Sequence, residues 1–536
     1  MSGMEGMAIA AEPGLVLGLV ATVVAAPLVA AAVVAVGGFP RSPRTPAVGG
    51  LGVALAAAAL LSWLCYAATG SAQEFGPRFG GGSLVHVDGI TAALLPTVAL
   101  IELAIVLVAP KRFLDAAATV RLLLGAAATS ALFSTAHPLA LVALWIVTAL
   151  PTWISTRGTP GGRPAARVFA TVMLLALACM TGGTLLMLAD PPWERGCGLV
   201  GNAGGWLVAI AVLLRKGIVP FHSWYPALFS GAPLSTALAA TMPQVAAYTA
   251  VRLLMGHADH GAGVGTELVV LSQLALVTAA YGAALALVQR DLRGLIGTLA
   301  MSQSALVLAG LSGKLPMELN GALCVWISSG LALTGIGLVA WALESRAGPL
   351  SLATPQGRFY DAPALAALFL IFGLAAIGLP GTLSFVADDL IVSGSLDEQL
   401  HAGLLVIAST VLSAIAVMRG WFFIFGGPTA VDGPRHTILL RERFALTALL
   451  VPLFAFGLWP GPLVATLERA AEQLLGVTAD GEPLSFTGRL GILPTCPWPT
   501  SVGWHEPGRP GLAFGVAPCP VASAPGFLGD GTRSLP

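Results

Sequence analysis

The chain is a succession of apolar runs about 20 residues long, most of them separated by short connections rich in glycine, proline or arginine. A run of that length, coiled as a helix, spans the roughly 30 Å hydrocarbon layer of a bilayer. Composition supports the same class. Of 536 residues, 56% are hydrophobic and 10% are charged, with a mean hydropathy of +0.86. A soluble domain carries about 25% charged residues, so this chain cannot clothe such a core in a polar surface. A freestanding soluble enzyme is excluded. The net charge of zero implies no nucleic-acid or acidic partner.

Spans are expected near 14–36, 49–69, 88–109, 113–133, 136–155, 166–189, 203–222, 233–256, 268–289, 292–312, 318–343, 363–394, 402–426 and 443–466. The fold class is therefore an all-α polytopic membrane protein with about fourteen transmembrane helices. No basic segment precedes the first apolar run, which reads as a retained span and not a cleaved signal. Odd-numbered connections hold fifteen Lys and Arg residues, among them Arg41, Lys111, Arg112, Arg157, Arg293 and Arg346. Even ones hold four: Arg78, Arg195, Arg252 and Lys314. The positive-inside bias makes the odd loops cytoplasmic and puts both termini outside a cell inner (plasma) membrane. Residues 476–536 are Pro/Gly-rich and without periodic apolar pattern, and read as a disordered tail. Cys496 and Cys519 lie there and could pair or stay free. Cys65, Cys179 and Cys324 lie in apolar runs as small core residues, and no cysteine spacing suggests a metal site.

The residues suited to chemistry are few. Lys216, one of three lysines in the chain, falls in the run GGWLVAIAVLLRKGIVPFHSWYP beside Arg215. A cation at mid-membrane costs at least ~2.5–3.5 kcal/mol and is expected to face a wet cavity or a partner. The alternative is a pair that snorkels from a helix end. Only one of two neighbours should face a given cavity, and lysine exchanges its proton more readily than arginine. Pro220, four residues on, breaks the helix and frees backbone groups. His222 follows it as either a proton relay or a partner for freed carbonyls. A second break, Gly378-Leu379-Pro380-Gly381, precedes Asp388 and Asp389, which either line a path or mark the water interface. Glu102, inside TVALIELAIVLVAP, is a relay carboxylate or a structural partner for a basic residue. Asp115 suits a helix start, and Asp291 with Arg293 reads as a loop ion pair.

Pro220 and Pro380 fall in spans seven and twelve. Spans 4–8 and 9–13 then form two five-helix units, each with its broken helix fourth, and an odd number of spans makes the repeats inverted. Paired Pro-interrupted segments of this kind point to a transport path. The expected organisation is residues 1–110 (helices 1–3), 111–256 and 265–427 (the two repeats), 438–475 (a C-terminal helix) and the tail.

Several segments resemble the proton-pumping L/M/N-type membrane subunits of NADH–quinone oxidoreductase and the related multi-subunit Na+/H+ antiporters. VDGITAALLP, RKGIVPFHSWYP, GAPLSTALAATMPQVAAYTAVRL, DLRGLIGTLAMSQ, GLPGTLSFVADD and WPGPL carry the likeness, over roughly residues 85–465. The resemblance implies fourteen helices, two inverted repeats and a mid-membrane row of buried ionisable groups. The departures are specific. The fifth-helix Trp-Glu is Trp145-Ile146, and the key lysine aligns with Arg215, leaving Lys216 shifted by one. The eighth-helix base falls near Leu238 or Gln244, and the eleventh-helix pair at Ser328, Ser329 and Leu333. Asp388 alone keeps its acid. Either Glu102, Lys216 and Asp388 form a shorter path through bound waters, or conduction has been replaced by another role.

The implied function is a proton or Na+ translocating subunit of a larger complex, with other membrane subunits as partners. Two alternatives remain: the membrane partner of a soluble zinc protein in inorganic-carbon uptake, or a non-conducting scaffold. No flavin, nicotinamide, haem or iron–sulfur signature is present, so no cofactor is expected on this chain, and redox chemistry belongs to a soluble partner.

Overall fold

The computed structural model describes residues 12–37, 42–67, 73–79, 82–189, 199–255, 266–311, 313, 316–428 and 437–475. The tail 476–536, with Cys496 and Cys519, and the loop residues Arg41, Arg195 and Lys314 lie outside the described residues. The protein is a multi-pass helical membrane protein. Helices α1 (Pro13–Ala35), α2 (Arg44–Ala67) and α3 (Gly89–Val108) open it, and α1 packs on α2 and α2 on α3. Next come α4 (Ala116–Leu132), α5 (Pro138–Gly158), α6 (Arg163–Ala189), α7 (Leu199–Lys216) and α8 (Trp224–Gly231). They are followed by α9 (Leu234–Thr241) and α10 (Val245–Ala250), which continues as a π turn to Met255. The second half holds α11 (Thr266–Leu287), α12 (Leu292–Gly310), α13 (Pro316–Ala347), α14 (Pro363–Ala375), α15 (Leu383–Glu398) and α16 (Leu400–Phe425). The last described elements are α17 (Leu440–Leu458) and α18 (Gly461–Leu475). Among the described residues nine helices are long and apolar enough to cross a bilayer, or ten if α17 and α18 count as one bent span.

Helix α13 is the spine. Its residues are mostly apolar and are buried on every side from Glu318 to Leu343, the pattern of a core helix. It packs against α3, α9, α12, α14, α15, α17 and α18. Close approach depends on missing side chains. A Cβ on Gly335 would lie 2.1 Å from the Phe372 ring of α14, and one on Gly337 would lie 2.7 Å from Leu238 of α9. Outer helices such as α1, α5 and α6 bury one side only and leave large apolar residues, Leu150 and Leu174 among them, facing outward as lipid contact requires.

The helix breaks lie where backbone chemistry allows them. Helix α7 stops at Lys216, and Gly217 follows at φ +70°. Pro220 thus sits inside the break and does not begin it, and Lys216 is the last helical residue, not an interior one. The freed groups find partners: Trp224 Nε1 donates to Leu214 O at 3.0 Å, and Val219 N donates to Thr278 Oγ1 at 3.1 Å. The break between α14 and α15 falls at Gly378 and Gly381, both with positive φ, as the Gly-Pro-Gly pattern predicts.

Four expectations need correction. The span expected at 233–256 is interrupted at Met242–Gln244, where Gln244 takes φ +56°. Arg252 therefore lies in a buried π turn and is not a loop cation. The span expected at 443–466 ends at Leu458, and after Trp459-Pro460 the chain turns by 79° into α18. The all-α expectation misses an antiparallel hairpin, β1 (Gln73–Phe79) with β2 (Gly82–Val87). Arg293 does not pair with Asp291. Asp291 caps α12 by accepting from Gly294 N at 2.7 Å, while Arg293 pairs with Glu344 of α13, its Nη2 2.7 Å from Oε2.

Candidate functional site

The end of α7 delivers two cations into the protein, and both turn inward. Lys216 is 2% exposed, and its Nζ donates to Gln244 Oε1 at 2.6 Å. The left-handed backbone at Gln244, forced by the interruption of α9 and α10, brings that amide to the lysine. Arg215 reaches α5 instead. Its Nη1 donates to Trp145 O and its Nη2 to Thr148 Oγ1, both at 2.7 Å, and the guanidinium lies 4.4 Å from the Trp145 ring centroid. The two neighbours do not share one site. The helix end frees them to diverge, Lys216 toward α10 and Arg215 toward α5.

Glu102 is 2% exposed on α3, and its Oε2 has no hydrogen-bond partner. It borders a cavity of about 30 Å³ whose wall includes Arg121, Thr129, Thr148, Thr152 and Thr236. Thr148 thus touches both the Glu102 cavity and the Arg215 guanidinium. Arg121 sits at the half-buried rim, its Nε donating to Ser155 Oγ at 3.0 Å. Asp115, as expected, begins α4, where it accepts from Ala118 N at 2.8 Å.

The other candidates lie apart. Asp388 is half-buried on α15, and a Cβ on Gly378 would stand 2.6 Å from its Oδ2, so the bare glycine of the break leaves room for the carboxylate. It is not among the residues that line the Glu102 cavity. Asp389 is exposed. His222, half-buried in the first break, meets the Tyr281 ring edge-on at 5.1 Å, and its Nδ1 is buried without a partner.

Sequence reasoning missed the best-formed ion pair. Asp88 and Arg252 make two parallel bonds of 2.8 Å, Nη1 to Oδ2 and Nη2 to Oδ1, with side chains 7% and 5% exposed. Asp88 also caps α3 by accepting from Thr91 N, and Tyr248 carries the Arg252 guanidinium 4.7 Å from its ring centroid. His86 of β2 lies 3.7 Å from Asp88 and 3.2 Å from Glu74 of β1, linking the hairpin to the pair. An arginine in the apolar run QVAAYTAVRLLM was the available signal, since it calls for a buried anion.

The chain and its fold are similar to known proteins. Residues 168–416 match the family described as NADH:quinone oxidoreductase/Mrp antiporter, TM. NADH-quinone oxidoreductase subunit M of Mycobacterium tuberculosis is 26% identical over 282 residues, 52% of this chain and 50% of that one. The match thus spans about half the length of that relative. Two solved structures share the fold. A chain of respiratory complex I from Thermus thermophilus aligns with TM-score 0.72 and 23% identity, covering 85% of this chain and 99% of that one. A chain of the Mrp complex from Dietzia sp. aligns with TM-score 0.75 and 20% identity, covering 86% and 98%. Through its central helices, residues 168–416, this chain is similar to the membrane subunits shared by NADH:quinone oxidoreductases and Mrp antiporters.

Proposed function

We propose that this chain is a proton- or Na+-translocating subunit of a multi-subunit membrane complex, with its ion path at the broken helices. The observation that carries the reading is Lys216, a lysine at the end of a broken membrane helix whose hydrogen bond goes to a neutral amide, Gln244. A buried cation is costly, and an amide offsets little of its charge. A lysine kept only for structure would be better served by a carboxylate. Held on a neutral acceptor, it can give up and regain a proton without breaking an ion pair. Arg215, Glu102 and Asp388 extend the path, with His222 and Asp389 at its margins.

The finer architecture belongs to the same proposal. Pairing α7 with α8, α9 with α10, α14 with α15 and α17 with α18 as interrupted spans gives fourteen, with inverted repeats over α4–α10 and α11–α16. The two strongest breaks, Gly217–Ser223 and Ala376–Thr382, then occupy matching places. Loop cations favour an inner-membrane orientation with both termini outside. The solved neighbours are chains of multi-subunit complexes, which supports other membrane subunits as partners here. A soluble redox partner would supply the driving reaction.

The test is ion flux in proteoliposomes that contain the purified complex, with a pH-sensitive dye and a Na+ indicator read in parallel. Lys216→Ala should reduce flux to the level of empty vesicles while assembly is unchanged. Full flux in that variant would sink the reading.

A further inference from the structure

Resting on that reading, we infer that the cavity beside Glu102 holds ordered water, and that Glu102 is the proton-exchanging acid linked through that water and Thr148 to Arg215. The first ground is an unfilled valence. A carboxylate oxygen that is buried and unbonded is expensive, and in native interiors such groups are met by protein or by water. Glu102 Oε2 meets no protein group, yet it opens on a polar-walled space. The space measures about 30 Å³, above the roughly 10–15 Å³ that a water needs, and Thr129, Thr148, Thr152 and Thr236 can supply its partners.

The second ground is charge. Arg215 bonds only a backbone carbonyl and a hydroxyl on α5, where Trp145 and Thr148 turn inward and Ile146 turns outward. No carboxylate of α5 stands against it. The charged groups that border the cavity are Glu102 from α3 and Arg121 from α4. α5 and α9 contribute hydroxyls, and Arg215 from α7 is joined through Thr148. Glu102 is the acid on the wall of this cavity, and water beside Thr148 would relay between it and Arg215.

The proton step is balanced. A hydronium at the water site gives its proton to Glu102 Oε2, which leaves water and a neutral acid, and the reverse step restores the carboxylate. Access runs along the α4–α5 groove past Ser155 and Arg121. These lie near the helix ends that carry Arg112 and Arg157 in the connections read as cytoplasmic.

Difference infrared spectroscopy of the reconstituted complex across a pH titration, combined with flux, tests this. The wild type should show a protonated-carboxyl band that Glu102→Gln removes and that Thr152→Val, which deletes one water partner, shifts. Flux should fall on the order of a hundredfold in Glu102→Gln, as for loss of a proton-transfer group. Thr148→Glu in that background should restore much of it, by returning a carboxylate to Arg215. Flux unchanged in Glu102→Gln, or no carboxyl band assignable to Glu102, would overturn the inference. Wild-type vesicles without flux but with the Glu102 band would instead refute ion translocation and leave the water site standing.

Discussion

Breaking the Asp88–Arg252 pair is the sharpest test of how the two ends of the first half are held together. At 2.8 Å and an effective dielectric of about 20, two unit charges attract by about 6 kcal/mol. Desolvation of both ions opposes most of this, so the pair itself adds little net stability. Removing one partner is different, because it leaves a bare charge 5–7% exposed in the protein. Arg252→Met should therefore cost about 3–5 kcal/mol, and Asp88→Asn a similar amount, although asparagine retains the cap to Thr91 N. The double variant Asp88→Asn/Arg252→Met should cost less than the two singles together, with a coupling energy of about 2–3 kcal/mol. Unfolding in mixed micelles of increasing SDS fraction, followed by helical circular dichroism, gives all four free energies. Additive losses would refute the pairing.

Two further expectations concern glycines. Gly335→Ala drives a Cβ to within 2.1 Å of the Phe372 ring, and α13 and α14 must separate. A loss of about 1–3 kcal/mol is expected, read in the same SDS titration, and an unchanged midpoint would contradict the packing. Gly378→Ala meets both a φ of +85° and the Asp388 carboxylate at 2.6 Å. It should cost about 1–2 kcal/mol from backbone strain alone and lower flux by displacing Asp388. Normal flux would remove Asp388 from the path.

Much of the framework is legible in the sequence because membrane helices declare themselves by run length. α3, α5, α6, α11, α12 and α16 begin and end within a few residues of the apolar runs. The break after Ala375 is equally plain, since Gly-Leu-Pro-Gly supplies both the missing donor and the positive φ. Pro243 is as visible as Pro220, yet it is embedded in a run whose hydropathy does not fall. Hydropathy cannot distinguish a helix from two half-helices. Pairings between distant elements leave no local trace. Arg252 finds Asp88 across 164 residues, and Arg293 bypasses its neighbour Asp291 for Glu344, because a capping aspartate is already engaged by its own helix. The turn of α17 into α18 has a trace that was open to reading. The segment LVATLERAAEQLL carries charges on one face only and cannot continue a span.

The unbroken spine α13 has a mechanical consequence. Its 32 residues make a rod about 48 Å long, well beyond the hydrocarbon thickness, with no proline hinge after its first residue. Bare glycines seat the Leu238 side chain of α9 on one flank and the Phe372 ring of α14 on another, so side chains from both halves of the chain press directly onto the spine. A carrier that rocks its halves apart would have to prise open those seats on every cycle. The ion movement proposed for a body so braced would instead come from side chains that swing and waters that come and go at the short non-helical gaps, with the frame standing still around them.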